Sequence, residues 1–392
     1  MNFKLPGRVS VSAVALIIRY REGKLRYFSV RFVVKLAKNR YLCAHKNSEH
    51  KPSVMIELTE NQSLLPHNTF GMDVHTAWLA EYDSVDDLIE LLQRPAVAGR
   101  PLLHIGQGSN LLFTGDYPGV VLHSRIRSIH IVSEEGDLVT VEAGSGTVWD
   151  ELCAWTVERG LSGLENLSGI PGECGAAAVQ NIGAYGAEIA DILSEVEVVE
   201  VANGRQRTLS QSECRYGYRD SLFKSEGHRG KYIITTIRVT LHRTPQVNLK
   251  YKHLADALKE VAHPTPADVR RAVLALRDSK LPDPKQVGNA GSFFKNPVVV
   301  HSVTEKLLNV YPFMPVHAVD ARHDKLSAGW LIEQCGWKGR NLGRAGVYER
   351  QSLVLVNRGH ATPDEVIQLS EAIIRTVNDR YGIRLEPEVN FI

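Results

Sequence analysis

One ten-residue stretch, Gly288-Asn-Ala-Gly-Ser-Phe-Phe-Lys-Asn-Pro297, concentrates more chemistry than a core strand needs. It holds a hydroxyl (Ser292), a cation (Lys295) and an amide (Asn296), separated by two aromatics. Gly288 and Gly291 allow the backbone to approach a ligand closely or to take φ > 0. Ser292, Lys295 and Asn296 can then face one polar ligand while Phe293 and Phe294 anchor the loop. The plainer reading is a tight turn with solvated polar groups, which this composition also makes.

Other stretches have the same character. Ile105-Gly-Gln-Gly-Ser-Asn110 follows a short apolar run, and its glycines permit a loop whose N–H groups point at phosphate oxygens. It is not a dinucleotide fingerprint, because the third glycine is missing. Residues 169–186 are crowded with Gly and Ala, which brings a large ligand close to backbone or packs two elements tightly. Tyr218-Arg-Asp-Ser221 offers a guanidinium, suited either to a ligand carboxylate or to a surface pair with Asp220. Lys280, Tyr251 and Glu388 read locally as a helix-end lysine, a strand aromatic and a strand-edge carboxylate.

The surrounding pattern alternates helices and strands. Residues 85–93 have helical apolar spacing, and 102–105 and 352–357 read as buried strands. Residues 138–143 and 231–241 alternate as strands do. Residues 147–159 read as a helix capped by Thr147 and ended by Gly160. Residues 196–201 and 206–209, joined through Asn203-Gly204, read as a hairpin with a type I′ turn. Thr265-Pro266 opens a helix towards Arg277. Thr362-Pro-Asp-Glu365 is a capping box before a long helix ending near Gly382. The fold class is α+β, in at least two domains.

Composition is that of an ordinary globular chain: 392 residues, 43% hydrophobic and 23% charged, with a net charge of +2. The sum hides an asymmetry. Residues 1–54 hold twelve Lys/Arg against two Asp/Glu, while the remaining 34 basic and 42 acidic residues leave a mildly acidic body. No basic face for nucleic acid is expected there. The five cysteines, Cys43, Cys153, Cys174, Cys214 and Cys335, are scattered and imply neither a disulfide framework nor a zinc site. Reduced thiols fit a cytoplasmic protein, and no metal is expected. No stretch reaches membrane-spanning length. Residues 9–18 imitate a signal peptide, but Arg19 and Arg21 follow without a cleavage pattern.

These motifs, in this order, resemble the UDP-N-acetylenolpyruvoylglucosamine reductase family. Lys280-Leu-Pro-Asp-Pro284, Ala328-Gly-Trp-Leu-Ile332 and Glu386-Pro-Glu-Val389 belong to the same series, which runs from about Asn68 to Ile392. The resemblance implies a two-subdomain FAD-binding domain of the vanillyl-alcohol-oxidase type over residues 55–244. It implies a C-terminal α+β substrate-binding domain over 245–392, whose tail returns Glu388 to the active site. Residues 1–54 lie outside it. They read as sequence upstream of a true start at Met55, as a basic arm, or as an extra element with strand-like alternation over 26–34. The first reading is preferred.

The resemblance also implies roles. Gly106, Gly108, Ser109, Asn110, Pro171, Gly172, Asn181, Ile182 and Gly183 would hold FAD. The attachment would be non-covalent, since Gln107 and Ser109 flank Gly108 where covalent relatives of the wider fold carry His. Tyr251, Lys280, Asn296 and Gln351 would hold the substrate, although Glu349 stands near where His or Lys is expected. The Tyr251 segment suggests the longer, first type of the family. Hydride would pass from NADPH through FAD to the enolpyruvyl β-carbon of UDP-N-acetylglucosamine enolpyruvate, giving UDP-N-acetylmuramate for peptidoglycan. Arg219 and Glu388 would stabilise the enolate and Ser292 would protonate the α-carbon. A monomer is expected. Two rivals stand: a flavoprotein oxidase of the same fold, and a nucleotide-sugar-binding protein without catalysis.

Overall fold

The computed structural model describes residues 56–392 with their side chains, and within residues 1–55 only the backbone of strands. In that first stretch Ser29–Leu36 pairs antiparallel with Arg40–Asn47, overlapping the alternation read at 26–34. The readings of Met55 as a start and of a basic arm lie outside the described residues. Residues 57–392 form a compact unit of their own.

Two sheets make its first half. Leu102–Ile105, Tyr117–Ser124 and His75–Tyr82 run parallel, and Leu58–Ser63 adds antiparallel at the edge. Helix Val85–Gln93 follows, started by Ser84, whose side chain accepts from the Asp87 N–H. The second sheet is antiparallel, in the order Ile129–Glu135, Leu138–Gly144, Tyr232–His242, Leu193–Glu200, Gln206–Ser210. Its central strand Tyr232–His242 is buried on both faces, which explains why Ile234 and Thr236 are inside along with Ile233, Thr235, Ile237 and Val239.

Two local expectations need correction. Helix Trp149–Glu158 has Val148 at its N-cap; Thr147 instead exchanges hydrogen bonds with Ser128, so its hydroxyl ties the loop to the neighbouring strand. The 200–205 connection is not a two-residue type I′ turn. Glu200 N–H bonds the Arg205 carbonyl, and of the two expected left-handed residues only Gly204 has positive φ, at 70°. The capping box at Thr362 forms as read, the helix opened by Thr265 also carries one through Asp268, and helix Pro363–Tyr381 ends on Gly382 at φ 67°.

The second half carries two smaller antiparallel sheets, Gly288–Ser292 with Val354–Asn357 and Ala345–Val347, and Val298–Val300 with His323–Leu326 and Val316–Ala318. Its core is not separate from the first sheet. Phe70, Met72, Leu112 and Val121 share one apolar cluster with Phe293, Phe294, Leu331, Val366 and Ile373. The chain's end seals this junction. Asn390–Phe391 pairs parallel with Leu111–Leu112, and Glu388 N–H bonds the Phe293 carbonyl at 2.8 Å.

Phe293 is fully buried, with rings of Phe70, Phe294 and Phe391 at 6.4, 5.1 and 6.0 Å. Phe293→Ala is expected to lower stability by about 3–5 kcal/mol in urea unfolding. A loss below about 1 kcal/mol would show that the aromatic junction does not hold the two halves together.

Candidate active site

Ser292 ends a strand that is fixed from both sides. It pairs with Val354, while Asn289 exchanges backbone and hydroxyl bonds with Thr69. The glycines serve different ends. Gly291 takes φ 68°, its N–H bound by the Asn289 side chain. Gly288 has no room for a side chain because a Cβ would sit 2.4 Å from the Phe70 carbonyl oxygen, so protein backbone rather than a ligand requires it. Of Ser292, Lys295 and Asn296, only Ser292 lines the main cavity. Lys295 reaches towards Glu386 at 3.7 Å, and the Asn296 side-chain oxygen Oδ1 accepts from the Ala328 N–H at the start of helix Ala328–Gln334.

Arg219 is held in the left-handed region, at φ 54°, an unusual state for a long side chain. Its two terminal nitrogens donate to the carbonyls of Asn181 and Gly183. Asn181, itself at φ 44° and fully buried, spends its amide on Glu188, Gly217 and Ala190. It therefore stands behind the cavity wall and fixes the loop that fixes Arg219. The third guanidinium nitrogen, Nε, lies 2.9 Å from the Glu388 carboxylate, yet is not aligned for a directed hydrogen bond, so this buried donor is left without an acceptor. Burial pushes the Glu388 carboxyl above its ordinary value, against the pull of Arg219, Lys224 and Lys295.

Ser292, Arg219 and Glu388 open onto one cavity of about 490 Å³. Gly106, Gly108, Ser109, Asn110, Pro171, Gly172, Ile182 and Gly183 line it too. Missing side chains keep it open: a Cβ at Gly183 would lie 2.8 Å from the Arg219 guanidinium, and one at Gly106 would lie 3.1 Å from Glu173 Oε2. Gly108, at φ 65°, is demanded by packing, since a Cβ there would lie 2.1 Å from the His67 carbonyl oxygen. Ser109 donates to the Pro171 carbonyl and so ties the two glycine-rich stretches together.

The residues read as substrate-binding lie outside this cavity's lining. Tyr251 stacks edge-on to Tyr185 at 5.2 Å, and Lys280 ends helix Pro266–Lys280. Gln351 caps its own turn through the Leu353 N–H. Lys224, not singled out from sequence, does line the cavity. It donates to the Arg219 carbonyl at 2.6 Å and to Gln180, and burial lowers its pKa, helped by Lys295. Its signal was its place five residues after Arg219. A further group, His67, Glu81 and His123, comes from three separate elements, with one potential ligand atom each within 4.8 Å. Local sequence carries no sign of it.

Comparison with known proteins bears on this geometry. Residues 77–210 match the model of an FAD binding domain, and residues 283–392 match the C-terminal domain of UDP-N-acetylenolpyruvoylglucosamine reductase. The reductase of that name from Bacteroides fragilis is 46% identical over 335 residues, covering 86% of this chain and all of its own. Those of Chromobacterium violaceum and Pseudomonas aeruginosa are 46% and 45% identical, covering 85% and 86% of this chain and 98% and 99% of their own. The crystal structure of the Thermus caldophilus reductase aligns with a TM-score of 0.59 at 25% identity, over 86% of this chain and 99% of that one. With a glycine-lined cavity, an unsatisfied guanidinium donor in its wall and relatives matched over nearly their whole length, the chain belongs to the UDP-N-acetylenolpyruvoylglucosamine reductase family.

Proposed function

We propose that this protein reduces UDP-N-acetylglucosamine enolpyruvate to UDP-N-acetylmuramate for peptidoglycan synthesis, with NADPH as reductant, as a cytoplasmic monomer. It is an FAD-dependent oxidoreductase by family and by its FAD-binding domain. Among the described residues no helix is long and apolar enough to cross a membrane. Residues 55–244 hold the cofactor in this reading and 245–392 the substrate, a functional division laid over a shared core. The observation that carries it is the meeting of Ser292, Arg219 and Glu388 on one glycine-lined cavity, from three distant parts of the chain.

The loops at 106–110 and 171–183 would hold FAD non-covalently, and the bound cofactor would supply hydride chemistry at this cavity. The side chains manage the charge and the proton. Negative charge develops on the substrate carboxylate as the double bond is reduced, and the Arg219 guanidinium, fixed in the cavity wall beside Glu388, is a preformed cation for it. The carbonyls of Asn181 and Gly183 hold the guanidinium in place beforehand, so little reorganisation is needed. Glu388, largely buried and raised in pKa, is protonated more readily than a surface carboxyl and can donate to the enolic oxygen. Ser292 delivers the proton to the α-carbon. A serine hydroxyl is a weak acid in water, so its position and the basicity of the carbanion do the work. Tyr251, Lys280, Asn296 and Gln351 are assigned to the nucleotide end of the substrate, beyond the lining of the main cavity.

Anaerobic stopped-flow absorbance tests the reading. Bleaching by NADPH and recolouring by the enolpyruvyl nucleotide are expected. Ser292→Ala should keep the first half-reaction and slow the second by about 10²–10⁴-fold. Normal rates in both halves would remove Ser292 from the mechanism, and recolouring by dioxygen alone would replace a reductase with an oxidase.

A second outcome follows from Glu388. Its pKa is raised, so the protonated form persists to higher pH than for a free glutamate and is lost as pH rises through that value. Glu388→Gln, a permanent neutral donor, should flatten that limb of the pH profile of the second half-reaction, whereas Glu388→Ala should slow the reaction at every pH. Identical pH profiles for wild type and Glu388→Gln would mean that the carboxyl does not act in its neutral form.

A further inference from the structure

The wall of the cavity contains a second carboxylate, Glu173, that the mechanism does not use. Its side chain is 2% exposed and lines the cavity beside Gly106 of the first glycine loop. Among the described residues its carboxylate has one charged partner: His123 Nε2 stands 3.1 and 3.2 Å from its two oxygens. The other ring nitrogen of His123 is 2.9 Å from Glu81, directly across the parallel ladder. One imidazole thus bridges two carboxylates, one at the sheet surface and one in the cavity wall.

We infer that His123 is a positioning residue for FAD, whose imidazolium neutralises Glu173 so that the glycine loop can accept the anionic part of the cofactor. The inference rests on the reading of the 106–110 loop as the pyrophosphate cradle. An unpaired buried carboxylate beside that loop opposes a second anion, since buried like charges are weakly screened. A cation between Glu173 and Glu81 removes the opposition. Gly106 brings the two sites together: Glu173 Oε2 lies 3.1 Å from where its Cβ would be.

The surroundings decide the sign of the pH dependence. Burial alone would make His123 release its proton early, but the hydrogen bonds and charges of Glu173 and Glu81 outweigh it, and its pKa is raised above 6.5. Arg125 lies on the far side of Glu81, at 3.2 Å from its second oxygen, and offsets part of that carboxylate's pull. His67 faces His123 edge-on at 5.7 Å, and burial, then the His123 charge, lowers its pKa, so it gives up its proton before His123 does. His104, on the strand flanking His123, is buried and has its pKa lowered to about 3, and Tyr82 donates or accepts at its ring without charge. Each ring nitrogen of His123 faces a carboxylate, which only accepts, so both nitrogens donate and the ring is the cation; the two carboxylates hold its proton more firmly than a free imidazole does, and it is lost as pH rises.

The experiment is FAD titration of the full-length apoprotein by flavin fluorescence, from pH 6.5 to 9. Wild type should bind at least tenfold more weakly at the alkaline end, and Glu173→Gln should remove this step. His123→Gln should weaken binding at least tenfold already at pH 6.5, and His123→Gln combined with Glu173→Gln should restore it. His67→Gln should keep the step. An unchanged step in Glu173→Gln, or no recovery in the double variant, overturns the inference. A step abolished by a chelator also overturns it, assigning His67, Glu81 and His123 to a metal instead. Should His123→Gln fail to fold, the comparison of wild type with Glu173→Gln still decides. Failure of wild type to bind FAD at any pH would instead sink the cofactor reading itself.

Discussion

Arg219 and Glu388 place a guanidinium and a carboxyl largely out of water at the same spot, and much of the surrounding structure answers to that. Taking a pair of ions from water costs several kcal/mol per ion unless the remaining donors and acceptors are satisfied. Here two guanidinium nitrogens are satisfied by the carbonyls of Asn181 and Gly183, and those carbonyls are aimed by two left-handed residues, Asn181 and Arg219. Lys224 supports the Arg219 backbone from behind. Glu388 is brought in by backbone pairing of the last five residues with the strand after the glycine loop and with Phe293. Nε completes the pair at 2.9 Å from the Glu388 carboxylate without the alignment of a directed hydrogen bond, so the contact is chiefly electrostatic.

The same logic explains why the core is shared. A carboxylate from the chain's end can be fixed to within a hydrogen bond only if its strand is attached to something rigid. The aromatic group Phe70, Phe293, Phe294 and Phe391 joins the first sheet, the serine strand and the tail in one packed contact. The serine strand takes its position from this group and from Thr69, which grips Asn289 on both its backbone N–H and its carbonyl. The hydroxyl, the guanidinium and the carboxyl are thus set by packing around the cavity rather than by contact with one another alone.

What was legible from sequence divides by range. Helices with a local signal could be read, Pro266–Lys280 from Thr265-Pro266 at its start and Pro363–Tyr381 from its capping box, because every partner lies within three residues. The cap at Thr147 and the turn at 203–204 failed where a non-local demand won: Ser128 claimed the threonine hydroxyl, and the strand register set the loop length. Ser292 stood out by its neighbours. Arg219 and Glu388 had ordinary local readings, and only the ordered resemblance joined them. Asn181 was a cofactor contact by the resemblance alone, and its amide bonds Glu188, Gly217 and Ala190. The His123 to Glu173 contact joins residues 50 apart, and no motif announces it.

The cavity therefore holds two buried carboxylates with different neighbours, and this asymmetry carries the argument furthest. Glu388 faces a guanidinium and the ammonium groups of Lys224 and Lys295, yet burial still dominates and favours its neutral form. Glu173 faces an imidazole, the one side chain whose charge changes near neutral pH. Arg219 brings the planar, delocalised fork of a guanidinium, a fixed set of donors, to the reacting end of the cavity beside Glu388. The His123 contact can be switched, and it lies at the loop end, away from Ser292 in the sequence and on the other sheet. Pairing a guanidinium with the chemistry and an imidazole with the glycine loop lets one cavity set the two requirements independently: charge stabilisation where the bond is reduced, and charge neutrality where a large anionic cofactor must enter and stay.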